Sequence, residues 1–397
     1  MNKKIHILFL FFCALVLKAQ QQKFFPIIAF QGIPENVNEA SHFKKLKDAG
    51  FNVNLNMYSS SQEAVRALEL GQKMNVKMIV SIPEIKSNPE EAVEILKNHP
   101  SFLGYYIEDE PNTSRFEFLS GIVDRLEKSD NQHFKYINLF PNYATNENLQ
   151  ASSYTDYVEQ YLSKVKVNLV SFDHYSIVNN TVRPGFYENL EIIRSQSKKF
   201  NKPFWGFACT AIHFEYRQPT LASLKLQQFG NILYGAQGIQ YYTYWTVNNL
   251  HWKQNNYSYA IVDESGNPTP TYDIVGKVNH QIQKLSWIFS GAKSDAVYHI
   301  GSELPTGTTK LTFIPKHFKF FSSFGKNALI ALMSNGKNKF LIVQNKSLNN
   351  NLNFEYQLKM PLKKIDNNSG QAKKLSVLKK YNDTILPGDI LIFTYGK

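Results

Sequence analysis

Short apolar and β-branched runs alternate with longer stretches of helical pattern over most of the chain. Eight such runs begin 25 to 36 residues apart, at 26–31, 52–58, 77–83, 102–107, 135–140, 167–172, 202–209 and 238–245. Between them, apolar residues recur at helical spacing, as at Ala64, Leu68 and Met74. Because this spacing is the length of a strand with its following helix, eight repeats between residues 26 and 285 predict a (β/α)8 TIM barrel.

A doubly wound open sheet is the alternative reading of the same alternation. Such a sheet usually has fewer units and a glycine-rich turn after its first strand. Neither G-x-G-x-x-G nor a Walker sequence follows the run at 26–31. The pattern therefore favours the closed barrel.

The pattern changes after a final predicted helix at 269–287. Short alternating runs follow at 311–314, 328–333, 339–343, 352–356, 375–378 and 389–395, with glycine and asparagine between several of them. Alternation without helical spacing is typical of an antiparallel β-sandwich. We therefore predict a barrel domain over 20–289, including the linker helix, and a small C-terminal β-sandwich over 290–397.

The first residues have the pattern of a secretory signal peptide. Lys3 and Lys4 precede a largely apolar run at 5–17, and Ala19 is a small residue at the expected cut. The run is shorter than the roughly 18 apolar residues of a membrane-spanning helix, and no later run approaches that length. We expect residues 1–19 to be removed and the protein to be secreted or periplasmic, with no transmembrane segment.

Charge is distributed unevenly along the chain. The net charge is +12, and residues 290–397 alone contribute +10, from 16 lysines against six acids. A basic surface of this kind could meet an anionic polymer, although a solvated lysine-rich face explains it equally. The lysines are not interleaved with aromatic residues, and secretion argues against nucleic acid as a partner.

The fourth run ends in three consecutive acids, Glu108, Asp109 and Glu110. Active sites of (β/α)8 barrels form at the carboxyl ends of the strands, and charge placed there is costly unless partners or function offset it. Strand alternation sends Glu108 and Glu110 to one side and Asp109 to the other, unless a bulge intervenes. The acids could also serve the dipole of the next helix, but Asn112 already offers a cap.

Other strand ends and loops offer aromatic rings and hydrogen-bonding side chains, which are what a sugar ring requires. The candidates for substrate contact are Tyr58, Asn142, His174, Tyr175, His213, Glu215 and Trp245, with Asp173 as a further catalytic candidate. Among the aromatic residues, Trp245 is the favoured stacking surface because it ends the eighth run.

The sequence predicts no metal site and no cofactor. No H-x-x-x-H or C-x-x-C spacing occurs. No G-x-S-x-G elbow supports a serine nucleophile, and Cys209 is expected to be a buried strand residue rather than a nucleophile.

Two segments, Gly104–Pro111 with its Asp-Glu-Pro sequence and Gly235–Trp245, carry a resemblance to a known family. With the barrel, linker helix and β-domain, they resemble the clan A (β/α)8 glycoside hydrolases, in particular the β-galactosidase-like branch, and secreted glycan-degrading proteins. The resemblance implies hydrolysis of glycosidic bonds in an oligo- or polysaccharide, which could be anionic. It assigns Glu110 as the general acid/base, with Asp109 where the clan usually has asparagine.

Strand seven departs from the clan pattern. Clan A enzymes carry a nucleophilic glutamate at its end, whereas this chain has Ala208 or Cys209 there, and the nearest acid is Glu215. If the protein is a hydrolase, Glu110 must hold a proton near neutral pH and therefore needs a raised pKa. Crowding by Glu108 and Asp109 is expected to raise it.

Three hypotheses remain open from the sequence. In the first, the pair Asp109-Glu110 works as in substrate-assisted hexosaminidases, in which a 2-acetamido group of the sugar attacks the anomeric carbon. In the second, Asp173 or Glu215 is a partner carboxylate, at about 5–5.5 Å for retention of configuration or about 6.5–9.5 Å for inversion. In the third, the protein is a non-catalytic glycan-binding protein on a degenerate hydrolase barrel.

Overall fold

The computed structural model describes residues 23–255 and 257–396, so the predicted signal peptide lies outside the described residues. A closed barrel of eight parallel strands forms the first part of the fold. The strands are β1 Ile27–Phe30, β2 Val53–Met57, β3 Lys77–Ser81, β4 Phe102–Asp109, β5 Phe134–Leu139, β6 Val170–Phe172, β7 Phe204–Cys209 and β8 Ile239–Tyr242. Each strand pairs with its neighbour in sequence, and β8 closes the barrel against β1. The predicted (β/α)8 barrel is confirmed.

Helices surround the barrel and continue into the linker. They are α1 Ala40–Asp48, α2 Ser61–Met74, α3 Glu84–Ser87, α4 Pro89–Leu96, α5 Phe116–Ser129, α6 Asn146–Leu149, α7 Tyr154–Lys164, α8 Phe186–Lys199, α9 Leu221–Tyr234, α10 Leu250–Gln254, α11 Pro270–Lys284 and α12 Ser286–Phe289. In α9 the Thr220 and Ser223 side chains bind each other's backbone N–H in a capping box. In the described part of the chain, no helix is both long and apolar enough to cross a membrane.

The barrel strands are buried on both faces, which is why their sequences read as continuous apolar runs. In β1, Ile28 and Phe30 belong to the cluster inside the barrel, whereas Ile27 and Ala29 belong to the cluster between the barrel and its helices. The barrel interior is therefore filled by side chains, and chemistry is left to the strand ends and loops.

The second part of the fold is a β-sandwich, as predicted. Its strands are β9 Lys293–Ile300, β10 Phe318–Ser322, β11 Ala328–Asn335, β12 Asn338–Asn345, β13 Leu352–Leu358, β14 Lys363–Ile365, β15 Ala372–Lys374, β16 Lys380–Ile385 and β17 Ile390–Tyr395. They form a six-stranded sheet in the order β9-β11-β12-β17-β14-β15 and a three-stranded sheet in the order β10-β13-β16.

Two runs that were predicted as sandwich strands are loops. Residues 311–314 and 375–378 lie outside the strands, and Phe313, Ile314 and Leu378 are exposed. Their alternating pattern is only four residues long, and an alternating run becomes a strand only where a neighbouring strand pairs with its backbone. The more polar strands β14, β15 and β16 occupy the paired positions instead.

Both faces of the six-stranded sheet pack against other parts of the protein. Ile330 and Val343 face the three-stranded sheet, while Ile342 and Ile392 join the apolar cluster of the barrel helices. A buried ion pair between Lys225 of α9 and Asp389, at 2.5 Å, joins the two parts. The sandwich is therefore attached to the outside of the barrel, against the helices α9 and α11.

Candidate active site

The acidic end of β4 is bent by a β-bulge. Its pairing with β5 shifts register between Tyr106 and Glu108, so simple alternation does not hold here. Glu108 accepts hydrogen bonds from Arg115 at 2.8 Å and Lys86 at 2.9 Å. Asp109 turns toward the interior side of the strand, where the Asn138 amide donates to it at 3.1 Å. The bulge therefore separates Glu108 from the other two acids.

Glu110 follows with a left-handed backbone, at φ 46°. Its N–H donates to the Asn138 carbonyl at 2.8 Å, which keeps it attached to the end of β5. A positive φ is uncommon for a residue other than glycine, and such residues cluster at functional sites. The conformation turns the chain immediately after β4 and brings the Glu110 carboxyl to Asp173.

Asp173 follows β6 and is buried. Its carboxyl group lies near enough to the carboxyl group of Glu110 for the two charges to interact. Two carboxylates at one site repel each other, so one of them favours its protonated form. Burial, followed by the charges of Glu110 and Asp109, raises the pKa of Asp173 well above its usual range. The pair therefore retains a proton at neutral pH.

The pKa values of Asp109, Glu110 and Asp173 are raised, whereas the pKa of Glu108 is lowered. Burial and then the charge of Asp109 raise the pKa of Glu110 to about 7. Asp109 is exposed in the barrel mouth, but the surrounding walls remove enough water to raise its pKa, against the hydrogen bond from Asn138. Burial also acts on Glu108, yet its hydrogen bonds with Arg115 and Lys86 hold its pKa below the ordinary value. The expectation that Glu108 crowds Glu110 is corrected: Glu108 bonds two cations instead.

Aromatic rings lie beside the carboxyl groups at the barrel mouth. The rings of Tyr175 and Tyr242 stack at 5.3 Å and 26°, and Tyr106 packs edge-on against Phe30 at 5.9 Å. Burial, then Asp109, Asp173 and Glu110 in that order, raises the pKa of Tyr106. Because Tyr175 and Tyr242 are partly exposed, they offer flat apolar surface beside the carboxyl groups.

A second group of side chains borders Asp173 on the side of the loop after β6. The Arg183 guanidinium lies 4.0 Å above the Tyr143 ring and donates to the Tyr216 hydroxyl at 3.1 Å. His174 is buried, with its Nδ1 3.0 Å from the Ser176 hydroxyl. Burial, followed by the charge of Arg183, lowers the pKa of His174 to about 3. His174 is therefore neutral, and it shapes this wall rather than carrying charge.

Three predicted contact residues take structural positions away from the acids. Tyr58 is buried in the cluster between barrel and helices and accepts from Asn54 at 3.4 Å. The Asn142 amide donates to the Gly185 carbonyl at 3.0 Å, at the start of α8. The Trp245 indole packs against His42 at 5.0 Å and donates to a loop carbonyl at 3.3 Å. For Trp245 the reason is that β8 ends at Tyr242, and the chain beyond it places Trp245 in the cluster between the barrel and its helices.

The loop after β7 carries the other two predicted contacts. His213 stacks on Trp252 at 5.6 Å and lies 5.7 Å from the Tyr242 ring, so it belongs to the aromatic group. Glu215 is exposed on this loop. Cys209 is buried, and burial raises the pKa of its thiol to about 12. The thiol is therefore protonated at neutral pH.

A buried polar network beneath the acids was not predicted. The Gln240 side-chain amide donates to the Ser171 hydroxyl at 2.8 Å, and this hydroxyl donates to the side-chain oxygen Oδ1 of Asn138 at 2.8 Å. This orients the Asn138 amide so that its N–H points to Asp109. The sequence signal for such a network is the presence of polar residues inside otherwise apolar strand runs. A polar side chain buried in a barrel must have hydrogen-bond partners.

Metal chemistry has no residue cluster to support it in the described ranges. No group of three or more histidine, cysteine, aspartate or glutamate side chains could hold a metal ion there.

Comparisons with known proteins bear on the fold. No protein-family model and no curated protein sequence matches the chain. A solved glycoside hydrolase superposes with a TM-score of 0.58 at 8% identity, covering 94% of this chain and 92% of that one. A family 5 glycoside hydrolase from Bacteroides vulgatus gives 0.57 at 9%, covering 94% and 88%. A family 39 glycoside hydrolase from Bacteroides cellulosilyticus gives 0.54 at 9%, covering 93% and 81%. The chain therefore has the fold of the clan A-like (β/α)8 glycoside hydrolases.

Proposed function

We propose that this protein is a secreted or periplasmic glycoside hydrolase with Glu110 as its general acid/base. The supporting observation is the Glu110 carboxyl group at the barrel mouth, whose pKa is raised to about 7 by burial and by the charge of Asp109, with the buried Asp173 carboxyl beside it. A general acid works best when its pKa lies near the operating pH. The partly exposed rings of Tyr175 and Tyr242 supply stacking surface for a sugar.

The placement of the other acids favours one mechanism among the three. A partner carboxylate in a retaining or inverting hydrolase must be ionised to act as nucleophile or base, whereas Asp173 is buried and burial raises its pKa well above the usual range. Glu215 is exposed on its loop, and the end of β7 has Ala208 and Cys209 but no carboxylate. Asp109, open to the mouth beside Glu110, is placed to act on the substrate itself. We therefore favour substrate assistance.

In this mechanism the sugar carries a 2-acetamido group. Its carbonyl oxygen attacks the anomeric carbon, and the bond to the glycosidic oxygen breaks while Glu110 gives that oxygen a proton. Asp109 stabilises the positive charge that develops on the acetamido nitrogen. Water then attacks the anomeric carbon of the bicyclic intermediate, Glu110 takes a proton from the water, and the acetamido group is restored. Asp173 is the buried carboxyl group beside Glu110, and its raised pKa keeps it protonated in this mechanism.

Substrate assistance predicts a strong preference at the sugar 2-position. Nitrophenyl glycosides of 2-acetamido sugars should show kcat/KM at least about tenfold above the matching 2-hydroxy sugars, because only the acetamido oxygen supplies the nucleophile. The comparison uses gluco and galacto pairs at one pH. Equal or better turnover of 2-hydroxy sugars would exclude this mechanism and return the role of partner carboxylate to Asp173.

The pKa of Glu110 predicts the pH dependence of activity. Only the protonated form can protonate the leaving oxygen, so kcat/KM should fall as pH rises through about 7, and roughly hundredfold by two pH units above that value. Asp109→Asn removes a charge that raises the pKa of Glu110, so the alkaline limb should move to lower pH. Glu108→Gln is the matched control and should leave the limb in place. A limb that stays put in Asp109→Asn would contradict the assignment.

The alternative is a glycan-binding protein without turnover. The observation that favours it is the residue at the end of β7, where Ala208 and a protonated Cys209 offer no carboxylate. Such a protein would bind oligosaccharides, release no product from any glycoside of the panel, and keep this behaviour at every pH.

A further inference from the structure

A cleft of about 630 Å³ lies between the barrel and the sandwich, apart from the acids of the barrel mouth. The barrel side contributes Arg183 and Tyr187, from the start of α8 and the residues before it. The sandwich side contributes Glu303, Lys326 and Lys346 together with a row of amides, Asn327, Asn345, Asn350 and Asn351. Its volume lies within the roughly 300–1,000 Å³ range of ligand sites.

The cleft has an excess of positive charge that the protein leaves unpaired. In residues 23–255 and 257–396, no carboxylate lies within ion-pair distance of Arg183, Lys326 or Lys346. The one acid of the lining, Glu303, accepts from the Asn327 amide at 3.2 Å. Three cations around one engaged acid create a field that attracts an anion.

Lys346 is held in place by a chain of neutral hydrogen bonds. Its ammonium donates to His299 Nδ1 at 3.1 Å and lies 4.8 Å from the centre of the Tyr187 ring. His299 Nε2 is 3.0 Å from the Tyr234 hydroxyl. Burial, followed by the charge of Lys346, lowers the pKa of His299 to about 3, which keeps the ring neutral and able to accept. An ammonium has three donors, so donors remain for a ligand.

Two residues that line the cleft each have a buried polar atom without a hydrogen-bond partner among the described residues. The Tyr187 hydroxyl and Arg183 Nε are buried and have no hydrogen-bond partner in the part of the chain that the structure describes. Tyr187 itself is 3% exposed. A buried donor left unpaired costs about 1–3 kcal/mol. A ligand with hydroxyl groups or a charged oxygen would remove that cost.

We propose that this cleft binds an anionic unit of a glycan, through the carboxylate or sulfate of a sugar. The ammonium of Lys346 meets the charge, the positive charges of Lys326 and Arg183 add to the attraction, and the amides meet the hydroxyl groups. The site goes beyond the proposed hydrolysis, because none of these residues is one of the acids. Arg183 also contacts Tyr143 and Tyr216 of the barrel mouth, so the cleft borders the site where the same chain would be cut.

Calorimetric titration of the full chain carrying Glu110→Gln tests the site without turnover. The probes are a galacturonate hexamer, whose charge is carboxylate alone, a κ-carrageenan hexasaccharide, whose charge is sulfate alone, and maltohexaose as the neutral match. We expect at least one anionic probe to bind more tightly than maltohexaose, and binding to weaken with salt. Carboxylate and sulfate as sources of the charge are distinguished by which of the two anionic probes binds.

Lys346→Met, added to that chain, should weaken binding of the anionic probe about tenfold, the value of one charged hydrogen bond. Lys373→Met, on the exposed strand β15 of the same sandwich, removes the same charge elsewhere and should leave affinity unchanged. If Lys346→Met does not fold, Lys326→Ser at the cleft rim is the test variant instead. Its expected loss of affinity for the anionic probe is two- to fivefold. Equal affinity for maltohexaose, or equal losses in the cleft and control variants, would overturn the proposal. Either result leaves the hydrolysis assay with Glu110 intact as a separate test.

Discussion

Glu110→Gln is expected to lower kcat by two to four orders of magnitude on a glycoside with a poor leaving group. This is the range that a positioned general acid contributes. Glutamine keeps the size of the side chain but cannot give up a proton to the glycosidic oxygen. The measurement is steady-state kinetics on an alkyl 2-acetamido glycoside, with product followed by chromatography.

The leaving group provides an internal check on this result. A dinitrophenolate departs without protonation, so Glu110→Gln should lose much less activity on a dinitrophenyl glycoside than on an alkyl one. Glu108→Gln is the matched control, because Glu108 faces Arg115 and Lys86 rather than the mouth. A rate within threefold of the parent on the alkyl glycoside would remove Glu110 from the mechanism. An equal loss on both substrates would indicate a role other than acid catalysis.

Asp389→Ala is expected to lower the free energy of unfolding by about 3–5 kcal/mol, the usual cost of removing one partner of a buried ion pair. Asp389 receives the Lys225 ammonium at 2.5 Å, the Gln281 amide at 3.0 Å and the Ile390 N–H at 2.8 Å. Both side chains of the ion pair are nearly buried, at 11% and 12% exposure. Without the carboxylate, Lys225 keeps its charge at the interface between α9 and the sandwich with nothing to balance it.

Chemical denaturation of the full chain measures this loss. Asp48→Ala is the control: it breaks the Lys44–Asp48 pair, whose side chains are 69% and 52% exposed, and should cost less than about 1 kcal/mol. A loss for Asp389→Ala as small as the control's would show that the interface does not depend on this pair. In that case the apolar contacts of Ile342 and Ile392 would carry the attachment of the sandwich.

The barrel could be predicted because its strands are periodic in sequence and buried on both faces. Each of the eight apolar runs overlaps a barrel strand, since a continuous apolar run bounded by helical pattern has few other solutions. The sandwich was less predictable. Its strands β14 and β15 are three residues long and rich in lysine, and β16 is largely polar. They are strands because neighbours pair with them, which a single sequence does not display.

The candidate site, like the fold, could be predicted from the sequence only in part. The sequence by itself determined that three acids end β4 and that Asp173 and Tyr175 follow β6, because local order along the chain decides which residues stand at a strand end. Only the tertiary structure decided that Glu108 faces two cations while Glu110 meets Asp173. One extra residue in the bulge reverses the side to which every later side chain points. The pKa of Glu110 likewise depends on burial and on Asp109 and Asp173, which come from the ends of two different strands, β4 and β6.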